Sequence, residues 1–204
     1  MSVEKQTIFI VDDDQAVRDS LGLLMKSVGL ASIGFSCASD FLQSYNPNQA
    51  GCLVLDIRMP GMSGLELQQE LSHRNATIPI VFITGHGDVP MAVQAIRDGA
   101  VDFIQKPFRD QDLIDRIHKA LDINAQAREQ HSKSGAILRN LNTLTKREHQ
   151  IMEMIVEGKP NKIIASELFL SQRTVEVHRA KVMEKMQADS LAELVRMVTL
   201  VQSQ

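Results

Sequence analysis

Polar residues that could do chemistry close the apolar runs of the first 110 positions. Asp12 and Asp13 follow TIFIV (7–11), Asp56 follows CLVL (52–55), Thr84 ends IPIVFIT (78–84) and Lys106 follows VDFIQ (101–105). Short apolar runs separated by helical periodicity read as parallel strands buried on both faces, and such strands all end on one side of their sheet. These residues therefore share a rim. Carboxylates gathered there repel one another unless a cation joins them, and an all-oxygen, partly hydrated site suits Mg²⁺. Lys106 offers a fixed positive charge for an anion, and the Thr84 hydroxyl offers a donor. An ionised aspartate can attack phosphorus to give an aspartyl phosphate, with the cation and the lysine favouring the charge that develops on the transferring group. Singly, each residue has an ordinary reading: Asp56 as a solvated loop acid, Lys106 on the surface, Phe103 in a core. The signal lies in their coincidence.

The elements that position these residues can be followed along the chain. Val17, Leu21, Leu24, Met25 and Val28 recur at helical spacing up to Gly29, and Ser32–Phe35 reads as a strand. Ser39 is expected to cap a short helix to Ser44, and 46–51 (NPNQAG) to form a loop. Helices are expected over Gly64–His73, Val89–Asp98 and about Asp110–Ala127, with a hinge at Gly85–His86–Gly87. Five strands alternating with five helices predict a parallel sheet with helices on both faces. From Gln126 to Asn142 the apolar period fades through HSKSG, which reads as a helix end plus linker over 125–139. Beyond it only helices are expected: Thr145–Glu157 with a Thr145/Glu148 capping box, Asn161–Phe169, Ser171–Met186 and Ser190–Val201.

Charge divides the same way. Residues 1–125 carry 10 Lys+Arg against 16 Asp+Glu, a net of −6, whereas residues 126–204 carry 12 against 9, a net of +3. Only the second half suits a polyanion. Cys37 and Cys52 read as thiols of a reducing compartment, and their spacing suggests no zinc site. No apolar run approaches the roughly 18 residues needed to cross a bilayer, and the acidic N-terminus does not resemble a signal peptide. The expected location is the cytosol, with no membrane partner.

The set VDDD, LDIRMPGMSG, FITGHGD and FIQKPF resembles the receiver domain of two-component response regulators, over 1–124. The resemblance implies that Asp56 is the phosphoacceptor, that Asp12, Asp13, Asp56 and the Arg58 backbone carbonyl hold Mg²⁺, and that Thr84 and Lys106 bind the phosphoryl group. It also implies a switch role for Phe103, a cis Lys106–Pro107 bond and a doubly wound five-stranded parallel sheet of flavodoxin-like order 2-1-3-4-5. The run LTKREHQIMEMIVEGKPNKIIASELFLSQRTVEVHRAKVMEKM resembles the LuxR-type helix-turn-helix domain, over 140–204. Together they are similar to the NarL/FixJ family, most of all to FixJ. Implied partners are a sensor histidine kinase, double-stranded DNA, RNA polymerase and a second copy of the chain, joined through the fourth helix and fifth strand.

In the tail, Ile163, Ile164, Ala165 and Leu168 are expected to pack one helix, and Val175, Val182 and Met186 the next. Arg173, Glu176, Val177, Ala180, Lys181 and Glu184 then share an outer face. At the N-terminal part of a recognition helix, Arg173 would reach guanine or phosphate, Glu176 would accept from cytosine and Val177 would touch a thymine methyl. Lys162, Thr174, His178, Arg179, Lys181 and Lys185 are candidate phosphate contacts. Two enzyme readings compete. Asp12 and Asp14 form the DxD of a haloacid-dehalogenase-type phosphatase, though the helical tail has no job there. A dinucleotide-binding domain lacks its GxGxxG after the first strand.

Overall fold

A computed structural model describes residues 6–85 and 89–202. The chain forms two compact units, Met1–Arg128 and Glu129–Gln204.

In the first unit, strands β1 (Thr7–Val11), β2 (Ala31–Phe35), β3 (Gly51–Asp56), β4 (Ile80–Thr84) and β5 (Asp102–Gln105) form one sheet ordered β2-β1-β3-β4-β5. Every pairing is parallel, with Val11 beside Leu55, Asp56 beside Ile83, and Thr84 beside Gln105. Helices α1 (Gln15–Ser27), α2 (Ala38–Ser44), α3 (Gly64–His73) and α4 (Val89–Arg97), with the start of α5 (Asp110–Leu141), complete the unit. Period-2 alternation splits the strands' side chains between two cores. Phe9, Leu53, Leu55 and Phe82 pack with α2 and α3, while Ile8, Ile10, Val54 and Ile83 pack with α1 and α5. β1, β3 and β4 are buried along their whole length, which is why they read as continuous apolar runs.

The register of α3 against β3 depends on Gly64. A Cβ there would lie 2.2 Å from the Asp56 carbonyl oxygen and 3.1 Å from the Phe82 ring, so the helix start touches strand backbone. Gly64→Ala should therefore destabilise the unit by about 1–3 kcal/mol, an overpacking cost, because backbone cannot move aside as a side chain can. Denaturant melts check this; a variant as stable as wild type would show the contact to be slack.

Two expectations are corrected. The cap of α2 is Cys37, in extended backbone and without a side-chain hydrogen bond; Ser39 lies inside the first turn. The stretch 126–142 is not a helix end plus linker, because α5 is helical through Leu141. Ser134 and Ile137 are buried and Leu141 packs on the second core, so an apolar face persists at three- and four-residue steps beneath the polar residues of HSKSG. Gly135, with no proline nearby, costs such a helix only about 1 kcal/mol.

The second unit holds α6 (Lys146–Val156), α7 (Asn161–Glu167), α8 (Gln172–Met186) and α9 (Leu191–Gln202). Ile151, Ile155, Ile164, Val175, Val182, Met186, Leu194 and Val198 form its core. Ile163, expected to pack, is 43% exposed. The turn between α7 and α8 takes Phe169 through a left-handed backbone, φ 56°, with its ring 94% exposed.

Candidate functional site

Three of the expected residues meet at the carboxyl ends of the strands. The Lys106 ammonium donates to Asp12 Oδ2 and to Asp56 Oδ1, each at 2.9 Å. Asp12 is 2% exposed and Asp56 9%, so both carboxylates are largely out of water and the lysine is their common counter-charge. The other Asp56 oxygen accepts from the Arg58 backbone N–H at 2.7 Å, and the other Asp12 oxygen from the Asp14 N–H at 2.9 Å. Burial raises the Asp56 pKa above the ordinary carboxylate value; Lys106 and the Arg58 N–H oppose this, and the Asp12 charge adds to it. Burial disfavours the charged form of Lys106, yet its bonds to Asp12 and Asp56 prevail and raise its pKa.

Thr84 is buried at the end of β4, beside these groups in the sheet order, and its hydroxyl donates to the Gly85 carbonyl at 3.1 Å. Phe103 on β5 is half-buried and packs on the core shared by α2 and α3. The Lys106–Pro107 peptide is cis, as the resemblance implies. His86 and Gly87 of the expected hinge lie outside the described residues.

Asp13 behaves differently from its neighbour. It is exposed, and its held atom is the backbone carbonyl: the Arg18 guanidinium donates to Asp13 O at 2.9 Å and to Asp12 O at 2.7 Å. Among the described residues no three acidic, histidine or cysteine side chains gather as a cation cage. The donors available are nonetheless all oxygen: two buried carboxylates, the adjacent Asp13 and the Arg58 carbonyl. That set fits a small hard cation that retains water. Asp14, the second acid of the DxD pattern, caps α1 by accepting from the Ala16 N–H at 2.8 Å. That is the ordinary role of an aspartate at a helix start.

In the helical unit, Ser171 caps α8, accepting from the Thr174 N–H at 3.0 Å and sharing a 2.8 Å hydroxyl bond with Thr174. Arg173, Glu176, Val177, Ala180, Lys181 and Glu184 are exposed along one face, with Val177 at 51%. Lys162 is exposed on α7, whereas Arg179 and His178 are half-buried and His178 Nδ1 has no hydrogen-bond partner. The Lys185 ammonium donates to Glu148 at 2.6 Å and to the Thr143 carbonyl at 3.1 Å, so it fastens α8 to the start of α6. The capping box of Thr145 and Glu148 is present as expected. Glu148 is its buried carboxylate, held down to a pKa of about 2 by the Lys185 ammonium and the Thr145 N–H.

Arg18 and the pairing of Glu148 with Lys185 escaped the reading of the sequence. Arg18 carries a weak signal, a lone arginine one helical turn beyond the capping Asp14. The Glu148–Lys185 pair, 37 positions apart, carries none.

Comparison with known proteins gives these arrangements a family. Residues 8–118 match the response regulator receiver domain, and residues 142–198 the bacterial regulatory proteins of the luxR family. Nodulation protein W of Bradyrhizobium diazoefficiens is 47% identical over 95% of this chain and 85% of its own. Transcriptional regulatory protein FixJ of Azorhizobium caulinodans is 46% identical over 97% and 93%. The solved structure of response regulator StyR superposes with a TM-score of 0.88 at 47% identity, covering 96% of this chain and 98% of StyR. The chain therefore belongs to the NarL/FixJ-type response regulators, a receiver followed by a LuxR-type DNA-binding domain.

Proposed function

We propose that Asp56 accepts a phosphoryl group from a sensor histidine kinase and that this modification drives dimerisation and promoter binding by α8. The single observation that carries the reading is the Lys106 ammonium set 2.9 Å from an oxygen of Asp56, in a nearly buried acidic pocket. An Asp56 oxygen bonds to phosphorus as the donor's bond to phosphorus breaks, and Lys106 faces the negative charge of the incoming group. Thr84 then supplies its hydroxyl to the same group, and Phe103 repacks with it. Asp12, Asp13, Asp56 and the Arg58 carbonyl would hold Mg²⁺, which when bound would supply charge neutralisation for the phosphoryl group. The functional domains are 1–124 and 140–204.

Val93 and Ile96, exposed on α4, support a dimer face made with β5. A dimer would place two copies of α8 on half-sites about one helical turn apart, in the cytosol where DNA and RNA polymerase are met. Incubation with acetyl phosphate and Mg²⁺, followed by intact-mass measurement, sizing chromatography and footprinting, tests the chain of events. One added phosphoryl group, a dimer and tighter promoter binding are expected; a modified chain that neither dimerises nor binds more tightly would refute the switch.

Arg173 is the leading base contact. Arg173→Ala should weaken specific binding by about 1–3 kcal/mol and relax preference at one base position. Lys181→Ala should weaken binding on all sequences and lower the salt slope by about 1. Fluorescence anisotropy over a salt series separates the two; equal effects on specific and random DNA would remove Arg173 from base readout.

A further inference from the structure

We infer that Arg18 is a positioning residue for the cation site, acting through the backbone of the two aspartates that precede it. The inference rests on the proposed Mg²⁺-dependent phosphorylation of Asp56 and assigns a residue that this reading does not use.

The loop from β1 to α1 bears both Asp12 and Asp13, and its peptide units are tied from three directions. The Asp12 N–H donates to the Phe35 carbonyl of β2 at 3.3 Å. The Asp14 N–H turns back onto the Asp12 carboxylate at 2.9 Å, and Asp14 in turn caps α1. Arg18, on the second turn of that helix, then reaches back with one guanidinium nitrogen to the carbonyls of both Asp12 and Asp13, at 2.7 and 2.9 Å. Its stem lies against β2 at Gly34, where an added Cβ would sit 3.6 Å from the Arg18 Cδ.

One side chain thus fixes the two peptide planes that set where successive carboxylates point. Asp12 and Asp13 are adjacent, so rotation of the peptide between them would turn one carboxylate away from the other. Arg18 resists that rotation with charge-assisted bonds, the stronger class of hydrogen bond. It also places a positive charge beside three consecutive acids through backbone carbonyls, so Arg18 itself takes up no carboxylate oxygen. Residues that orient ligands in this way affect metal affinity by roughly 10- to 100-fold when removed.

Calorimetric titration of Mg²⁺ into full-length wild type, Arg18→Met and Arg18→Lys tests the inference, with thermal melts confirming that each variant is folded. Arg18→Met should bind Mg²⁺ about 10- to 100-fold more weakly. Arg18→Lys, which keeps the charge on a shorter reach, should recover part of the loss and carries the comparison if the Met variant does not fold. Phosphorylation from acetyl phosphate should be slow at low Mg²⁺ and reach the wild-type rate at saturation, because the reacting groups themselves are untouched. Wild-type Mg²⁺ affinity in the folded variants, or a phosphorylation deficit that saturating Mg²⁺ leaves in place, overturns the assignment. Absence of phosphorylation in wild type would instead count against the acceptor role of Asp56, and the calorimetric comparison would still read Arg18.

Discussion

Asp56→Asn will keep its unmodified mass after incubation with acetyl phosphate and Mg²⁺, under conditions where wild type gains one phosphoryl group. The expected loss is complete, because an amide is not a nucleophile toward phosphorus. The substitution should leave the fold intact. It relieves the repulsion between Asp12 and Asp56, and Lys106 keeps its 2.9 Å bond to Asp12. Dimerisation and tight promoter binding should disappear with the phosphoryl group. Moving a switch from 1:99 to 99:1 takes about 5.5 kcal/mol of differential stabilisation, and an unmodified chain has no source for it. Intact-mass spectra, sizing columns and melting curves on the same samples separate chemistry from folding. A phosphoryl group on the Asn variant would move the acceptor elsewhere, with Asp12 and Asp13 the first residues to map.

Glu148→Gln should be the most damaging polar substitution in the helical unit, at about 2–3 kcal/mol. The buried carboxylate is 2.6 Å from the Lys185 ammonium and also closes the Thr145 capping box; a glutamine can still close the box but leaves a partly buried cation without its counter-charge. Lys185 is one-third exposed, which moderates the cost through solvent. The pH dependence follows from the Glu148 pKa of about 2 in the fold. A carboxylate with a depressed folded value stabilises fully above its ordinary pKa, near 4.3. That contribution declines as pH falls through the folded value of about 2 and is gone below it, where the acid is protonated in both folded and unfolded chains. The stability gap between wild type and Glu148→Gln should be widest at neutral pH and narrow below about pH 4. Denaturant melts of a truncated helical unit would depend on that unit folding alone, so the full chain at several pH values is the sample of choice. The double variant Glu148→Gln/Lys185→Met should lose less than the sum of the single changes, since neither charge is then left alone. A pH-independent gap would show that the pair contributes packing rather than charge.

Loss of this pair should also weaken DNA binding on every sequence, because Lys185 holds α8 against α6. Arg173→Ala, by contrast, should weaken the preferred sequence most.

Where each conclusion came from differs by element. β1, β3 and β4 were legible because strands buried on both faces must be apolar throughout, and their carboxyl ends share a side by topology alone. That is why Asp12, Asp56 and Lys106 could be brought together on paper across 94 positions. The α5 extension was not legible, since a helix face of Ser134, Ile137 and Leu141 is too sparse to stand out among HSKSG. The Ser39 cap failed for a related reason: serine favours an N-cap, but here the chain enters its helix earlier, after the extended backbone of Cys37.

By itself the sequence determined the two-part organisation, the parallel sheet, the acidic rim and the outer face of α8, all of which follow from periodicity and topology, while the sheet order came with the family resemblance. The tertiary structure alone decided which polar groups those elements bring within bonding distance. It set Lys106 between two carboxylates, spent Lys185 on Glu148, held the Asp12 and Asp13 carbonyls with Arg18, and committed Asp14 to a helix start. Periodicity says which side of an element a residue occupies. A hydrogen bond needs atoms placed to a few tenths of an ångström, and that placement is set by packing between elements far apart in the chain.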